Sequence, residues 1–449
     1  MELSTPSFTD FDLPKALQKA LDEWGLITPT PIQQRAFPVI MSGKDVIGIA
    51  QTGTGKTLAY LLPIFKQWRF QQTDAPRVLV VVPTRELVVQ VVEVVTQLTQ
   101  FMTIRTFGVY GGTNINTQKD ILTGGVDFLV GTPGRLMDLS LDGYLRFDSL
   151  QKLVIDEFDE ILSQGFRHQM TTLLDLLKNK RQNILFSATM TDEVDEMLDT
   201  FFNLPVEVSL APSGTPLEQI NQQFVEIPNF YTKINYIEQQ LKDPQWERVL
   251  LFVSGKRTAD LLFEKLEEWE PGRWGVLHSN KSQNYRLQTL AQFQEKNLRG
   301  IITTDVMARG LDIRDISHVV NIELPQSPEY YIHRIGRTGR AEKTGEAVSL
   351  IAPYEMEFWI EIQLFMDQEV TPMVCPTDLE ISTRKMDFEI DKKKIKFLLK
   401  RPKPSEGAAF HEKSDKNKKV NLGGPGKRNP RKTKPTNRGV ERKRSAKKK

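Results

Sequence analysis

Cysteine is almost absent from this chain of 449 residues. The one example, Cys375, excludes an internal disulfide and any cysteine-rich zinc site. No apolar run approaches the ~20 residues needed to cross a bilayer. The N-terminal stretch carries Glu2, Asp10 and Asp12 without an apolar segment, so it does not read as a secretory signal; a soluble, cytoplasmic protein is expected. Overall charge is also slight, at +3, but it is unevenly placed. Residues 413–449 hold 16 Lys or Arg and 2 acidic residues, a net of +14, which leaves −11 for residues 1–412. A strongly basic tail on an acidic body implies a polyanionic partner, most simply nucleic acid. The chain is too long for one small core; at about 100–200 residues per domain it predicts two domains and an appendage.

What is present centres on Ala50-Gln51-Thr52-Gly53-Thr54-Gly55-Lys56-Thr57. A β-favouring run, Val46-Ile47-Gly48-Ile49, precedes it and a helical run follows, so its glycines fall in a strand-to-helix turn. There the amides of Thr52, Gly53, Thr54 and Gly55 can point at an anion. Lys56 would reach β and γ phosphates, and the Thr57 hydroxyl would ligate a magnesium ion that keeps most of its waters. Ala50 stands where the pattern usually opens with glycine, and an ordinary Gly-rich turn is the alternative. Upstream, Pro29 and Pro31 hold an extended segment before a helix begins at Gln33. The Gln33 amide matches the exocyclic amine and ring nitrogen of adenine, although a solvated helix-start glutamine has the same signature.

Apolar runs at residues 78–82, 107–110, 126–130, 153–155 and 184–186 read as strands buried on both faces of a parallel sheet. Each ends in a polar loop: Thr84 and Arg85, Gly111 and Gly112, Thr132 to Arg135, Asp156 and Glu157, Ser187 to Thr189. Doubly wound sheets bind ligands along the edge where such loops gather. Asp156 is expected to hold magnesium through water, and Glu157 to orient and deprotonate an attacking water. An acidic helix N-terminus would look alike.

These stretches, in this order, resemble the first-domain motifs of the DEAD-box family of ATP-dependent RNA helicases. In the second half, residues 249–253, Gln283 with Arg286, residues 304–312 and residues 333–340 resemble its second-domain motifs. The resemblance covers roughly residues 8–355. It implies two tandem RecA-like α/β domains, each a mostly parallel sheet flanked by helices, and RNA-stimulated ATP hydrolysis with ATP and Mg2+ as cofactors. By resemblance, Thr84, Arg85, Gly112, Thr132, Arg135, Arg286 and Thr304 contact RNA, Asp312 contacts the ribose, and Ser187, Thr189 and His333 join the catalytic group. Three positions depart from the family pattern: Phe158 replaces the alanine of Asp-Glu-Ala-Asp, Leu26 replaces an aromatic and weakens base stacking, and Met307 replaces a small residue.

A Pro- and Gly-containing linker at residues 211–216 separates the halves. Strands are expected at 223–227, 248–253, 275–278, 300–304, 318–322 and 347–351, again alternating with helices. No second phosphate loop occurs, so Arg337 and Arg340 read best as charges supplied to the γ phosphate across the gap between domains, with a basic nucleic-acid patch as the alternative. The expected division is an ATP-binding domain at 1–208, linker 209–218, helicase domain 219–370, an extension without clear signal at 371–412, and a disordered basic tail at 413–449. The expected activity is ATP-driven clamping of single-stranded RNA and local, non-processive opening of short duplexes, independent of sequence, in ribosome assembly or RNA turnover. An ATP-gated RNA clamp or chaperone that rarely unwinds, and a DNA-directed translocase, are the competing readings.

Overall fold

In β2 (Val78–Val81) successive side chains enter opposite cores: Val78 and Val80 pack on one side of the sheet, Leu79 and Val81 on the other. That two-sided burial is what a strand inside a parallel sheet requires. The computed structural model describes residues 6–51, 53–177, 180–210, 220–305, 315–339 and 344–390. The linker core, Met307, Asp312, Arg340, Thr52 and the basic tail lie outside the described residues.

The first half builds a seven-stranded sheet in the order β3-β4-β2-β5-β6-β1-β7. Its other strands are β1 (Val46–Ile49), β3 (Thr106–Val109), β4 (Phe128–Gly131), β5 (Lys152–Ile155), β6 (Gln182–Ser187) and β7 (Val206–Ser209). All neighbours pair in parallel. The second half repeats the plan, in the order β10-β11-β9-β12-β13-β8-β14, again wholly parallel. These strands are β8 (Ile220–Glu226), β9 (Val249–Phe252), β10 (Trp274–Leu277), β11 (Gly300–Thr303), β12 (His318–Asn321), β13 (Gly345–Ile351) and β14 (Thr371–Pro372). Two parallel sheets flanked by helices, as expected, therefore account for the body.

Two strands were not foreseen. β7 is a half-buried edge strand of four residues, too short for its alternation to register, and β14 is two residues long. The stretch after β14 gives no periodic signal because it forms no regular structure, yet it is fixed. Leu379 and Met386 sink into the second core, and side chains of the Phe230–Gln240 helix region bind its backbone: Asn235 Nδ2 donates to Glu380 O at 2.8 Å and Asn229 Nδ2 to Ser382 O at 2.7 Å. Residues up to Ile390 accordingly form one compact unit. No helix among the described residues is long and apolar enough to cross a membrane.

Candidate active site

Strands β5, β6 and β1 are neighbours, so the loops that follow them emerge side by side at one edge of the first sheet. The loop after β1 turns through Gly55 at φ +89°, a conformation that only glycine adopts freely. This seats Lys56 as the first residue of the Lys56–Lys66 helix, 6% exposed, with its Nζ buried and without a hydrogen-bond partner. A buried ammonium so placed is costly unless an anion meets it. Thr57 follows on the same turn.

The loop after β5 delivers Asp156 and Glu157, both buried. Asp156 Oδ1 accepts the Glu157 N–H at 3.0 Å. Glu157 lies in the left-handed region at φ 52°, ψ 52°, a strain of roughly 1–3 kcal/mol that surrounding structure must sustain. Its Oε2 is buried without a hydrogen-bond partner, as Lys56 Nζ is. Burial pushes both carboxyls above their ordinary values; the charge of Lys56 opposes this at each, and Arg337 opposes it at Glu157. Arg337 comes from the second half, where it bonds the carbonyl of His333, itself 3.5 Å from Asp159, so both halves meet around one centre. An orphaned cation, an orphaned carboxylate oxygen and a buried aspartate are a donor set suited to a magnesium-bound polyphosphate. Among the described residues no group of three or more His, Cys, Asp or Glu is arranged as an all-protein metal site.

The loop after β6 is tied to the same edge by Asp159. Its Oδ2 accepts from Thr189 N at 2.9 Å, Thr189 Oγ1 at 2.8 Å and Ala188 N at 3.2 Å, while Ser187 Oγ accepts from Asp159 N at 3.3 Å. His333, on the Pro328–Ile335 helix of the second half, completes the chain. Its Nε2 stands 3.5 Å from Asp159 Oδ2 and its Nδ1 bonds Glu160. Arg337 Nε donates in turn to His333 O at 3.2 Å. Burial alone would lower the His333 pKa, but Glu160 and Asp159 outweigh it and push the imidazole up to about 10. Burial alone would raise Asp159; the His333 hydrogen bond and charge, then Lys56 and Thr189, hold it well below the ordinary carboxylate range.

The sign of a pH effect follows. With the halves apart His333 returns toward its ordinary 6.5. Its contribution to holding them together is full below that pH, declines above it and is gone beyond about 10. The Asp159 contribution is present above its ordinary 3.8 and is lost only as pH falls below that value. RNA affinity in the presence of a non-hydrolysable ATP analogue should therefore weaken from about pH 6.5 upward, and His333→Gln should flatten that slope. An identical slope in the variant would remove His333 from the link.

The other end of the first sheet, β3-β4-β2, gathers the remaining loops. Thr84 caps the Arg85–Leu98 helix, accepting from Leu87 N at 3.3 Å. The Arg85 guanidinium lies over the Gly111-Gly112 turn so closely that a Cβ at Gly112 would collide with it. Arg135 Nη1 donates to Gln118 Oε1 at 3.0 Å and Nη2 to Thr113 O at 3.4 Å, joining the loops after β3 and β4. Thr132 is buried at the start of the Pro133–Leu141 helix, and Thr304 is buried after β11.

Two residues expected to meet ligands also make contacts within the protein. Arg286 is ion-paired with Glu86 of the first half, and Gln283 Nε2 donates to the same carboxylate at 3.1 Å. Gln33 accepts from Thr30 N at 2.9 Å and donates to Gly55 O at 3.1 Å, so its amide braces the phosphate loop. Sequence alone gives Glu86, Asp159 and Glu160 no individual role. Glu86 and Glu160 read as ordinary acidic residues near helix starts, and nothing local signals that their partners come from the other half. Phe158 is buried in the core beside Ile155 and Ile161, which explains how a large residue is accepted there.

Fold and site together define a nucleotide-driven motor of the helicase type. Residues 30–197 match the DEAD/DEAH box helicase model and residues 232–342 the helicase conserved C-terminal domain. The chain is 35% identical over 377 residues to the DEAD-box ATP-dependent RNA helicase RhpA of Helicobacter pylori, covering 83% of this chain and 75% of that one. It is 36% identical over 371 residues to CshA of Geobacillus kaustophilus, covering 83% and 79%. Among solved structures, Saccharomyces cerevisiae Dbp5 bound to RNA and ADP BeF3 superposes with a TM-score of 0.75 at 29% identity, over 82% of this chain and 95% of that one. A DEAD box protein from Methanococcus jannaschii, 30% identical over 82% and 99%, gives 0.51. The chain belongs to the DEAD-box ATP-dependent RNA helicases, and it is an RNA-stimulated ATPase.

Proposed function

We propose that the protein is an ATP-gated RNA clamp that opens short duplexes locally rather than by processive travel. The observation that carries this reading is the orphaned pair Lys56 Nζ and Glu157 Oε2, buried where the charge of Arg337 arrives from the other half. Lys56 and the amides of residues 52–55 would hold the polyphosphate, the Thr57 hydroxyl would ligate Mg2+, Asp156 would hold it mostly through water, and Glu157 would take the proton of the attacking water. The bound metal neutralises charge on the phosphates. Arg337, with Arg340, supplies the charge that completes the site, and Asp312 meets the ribose. Gln33 acts on the nucleotide by fixing the phosphate loop as well as through its own amide. Ser187, Thr189 and His333, joined through Asp159, carry the state of one half to the other.

Thr84, Arg85, Gly112, Thr132, Arg135 and Thr304 form the RNA track, contacting phosphates and 2′-hydroxyls and so favouring RNA without reading sequence. Arg286 joins the track and also holds Glu86, next to Arg85. The domain limits proposed are 1–208 and 219–370, and the site of action is the cytoplasm, in ribosome assembly or RNA turnover. A strand-displacement assay on short duplexes tests the reading; RNA retention without displacement would leave a clamp that does not unwind.

The tail at 413–449 tethers structured RNA through its charge. Its removal should lower RNA affinity at modest salt and flatten the salt dependence, leaving the ATPase folded. Equal affinity with and without the tail at every salt concentration would show that it does not bind RNA.

A further inference from the structure

Tyr60 is fully buried beneath the site, and its hydroxyl lies against polar groups of that site with none in well-formed hydrogen-bond geometry. It lies four residues after Lys56 and three after Thr57 on the Lys56–Lys66 helix, the spacing that stacks side chains on one face. Its ring packs against Phe186, one residue before Ser187, with centroids 5.8 Å apart. Its hydroxyl is 0% exposed in residue terms and makes no well-formed hydrogen bond among the described residues. The groups it faces are the Asp156 carboxylate and the Thr57 side chain, the two proposed to hold magnesium. A phenylalanine would fill the same space without leaving a buried hydroxyl unpaired, so packing alone does not account for the oxygen.

We propose that Tyr60 is a positioning residue for the metal: its hydroxyl donates to the Asp156 carboxylate, orienting that group toward the water shell of Mg2+. The arrangement has the form of an outer-shell hydrogen bond behind a metal-binding carboxylate, whose loss typically costs 10–100-fold in metal affinity. The inference rests on the assignment of Asp156 to the metal.

The test uses the full-length protein with ADP and measures nucleotide binding by fluorescence polarisation of a labelled analogue while Mg2+ is titrated. Tyr60→Phe should raise the Mg2+ concentration at half-effect by about tenfold or more. It should leave metal-free nucleotide affinity unchanged and the melting temperature unchanged or higher. Asp156→Asn, run in parallel, should shift the Mg2+ requirement further. If Asp156→Asn shifts it and Tyr60→Phe does not, the role of Tyr60 is overturned while the metal site stands. If neither shifts it, the assignment of Asp156 fails and Tyr60 with it. If Tyr60→Phe weakens nucleotide binding equally with and without Mg2+, the residue acts by packing alone and the proposal is overturned.

Discussion

Glu157→Gln is expected to slow RNA-stimulated ATP hydrolysis by about 10²- to 10⁴-fold, the contribution of a positioned general base, while ATP-dependent RNA binding persists. The amide has the shape of the carboxylate and fits the same left-handed backbone position, so the fold should be retained. What it cannot do is accept a proton. Burial lifts the Glu157 pKa above its ordinary value, against the charges of Lys56 and Arg337. Single-turnover hydrolysis measured beside RNA retention with ATP separates the two outcomes. Unchanged hydrolysis would take the base assignment away from Glu157; lost RNA retention with slow hydrolysis would show a folding or closure defect instead.

Arg337→Ala should be at least as severe, of the order of 10³-fold in turnover, because an arginine supplied to a phosphoryl group in this way contributes about 10³–10⁵. The guanidinium is held by the His333 carbonyl and is only 4% exposed, so it is already aimed and loses little freedom on use. Nucleotide binding to the first half should remain, since Lys56 and the phosphate loop are untouched. The double variant with Glu157→Gln should be scarcely slower than the worse single one, because residues that act as a unit are strongly non-additive. Fully multiplicative losses would mean that Glu157 and Arg337 do not share a transition state.

The part of this protein that could be read from sequence is the part written in contiguous stretches. Strand runs such as residues 78–81 declare themselves by apolar character, and the loops that follow them carry glycine, lysine or carboxylates at fixed spacing, so Lys56, Asp156 and Glu157 fall where expected. What sequence could not show is pairing across the two halves. Glu86 meets Gln283 and Arg286, and Glu160 meets His333, only because residues far apart in the chain, on two separate halves, come into contact. Tyr60 is hidden differently: within an apolar helix it reads as core, and only the depth of its hydroxyl beside Asp156 distinguishes it. Arg286 and Gln33 also make contacts within the protein, with Glu86 and with Gly55, that no local pattern announces.

These pairings make one statement about function: nucleotide and RNA each stabilise the arrangement in which the halves meet, so each must strengthen binding of the other. The direct measurement is RNA affinity by fluorescence anisotropy with and without a non-hydrolysable ATP analogue, together with analogue affinity with and without RNA. Tighter binding by the same factor in both directions, largely lost in a Glu86→Ala, His333→Ala variant, is the predicted result. Equal RNA affinity whether or not the analogue is bound would contradict it.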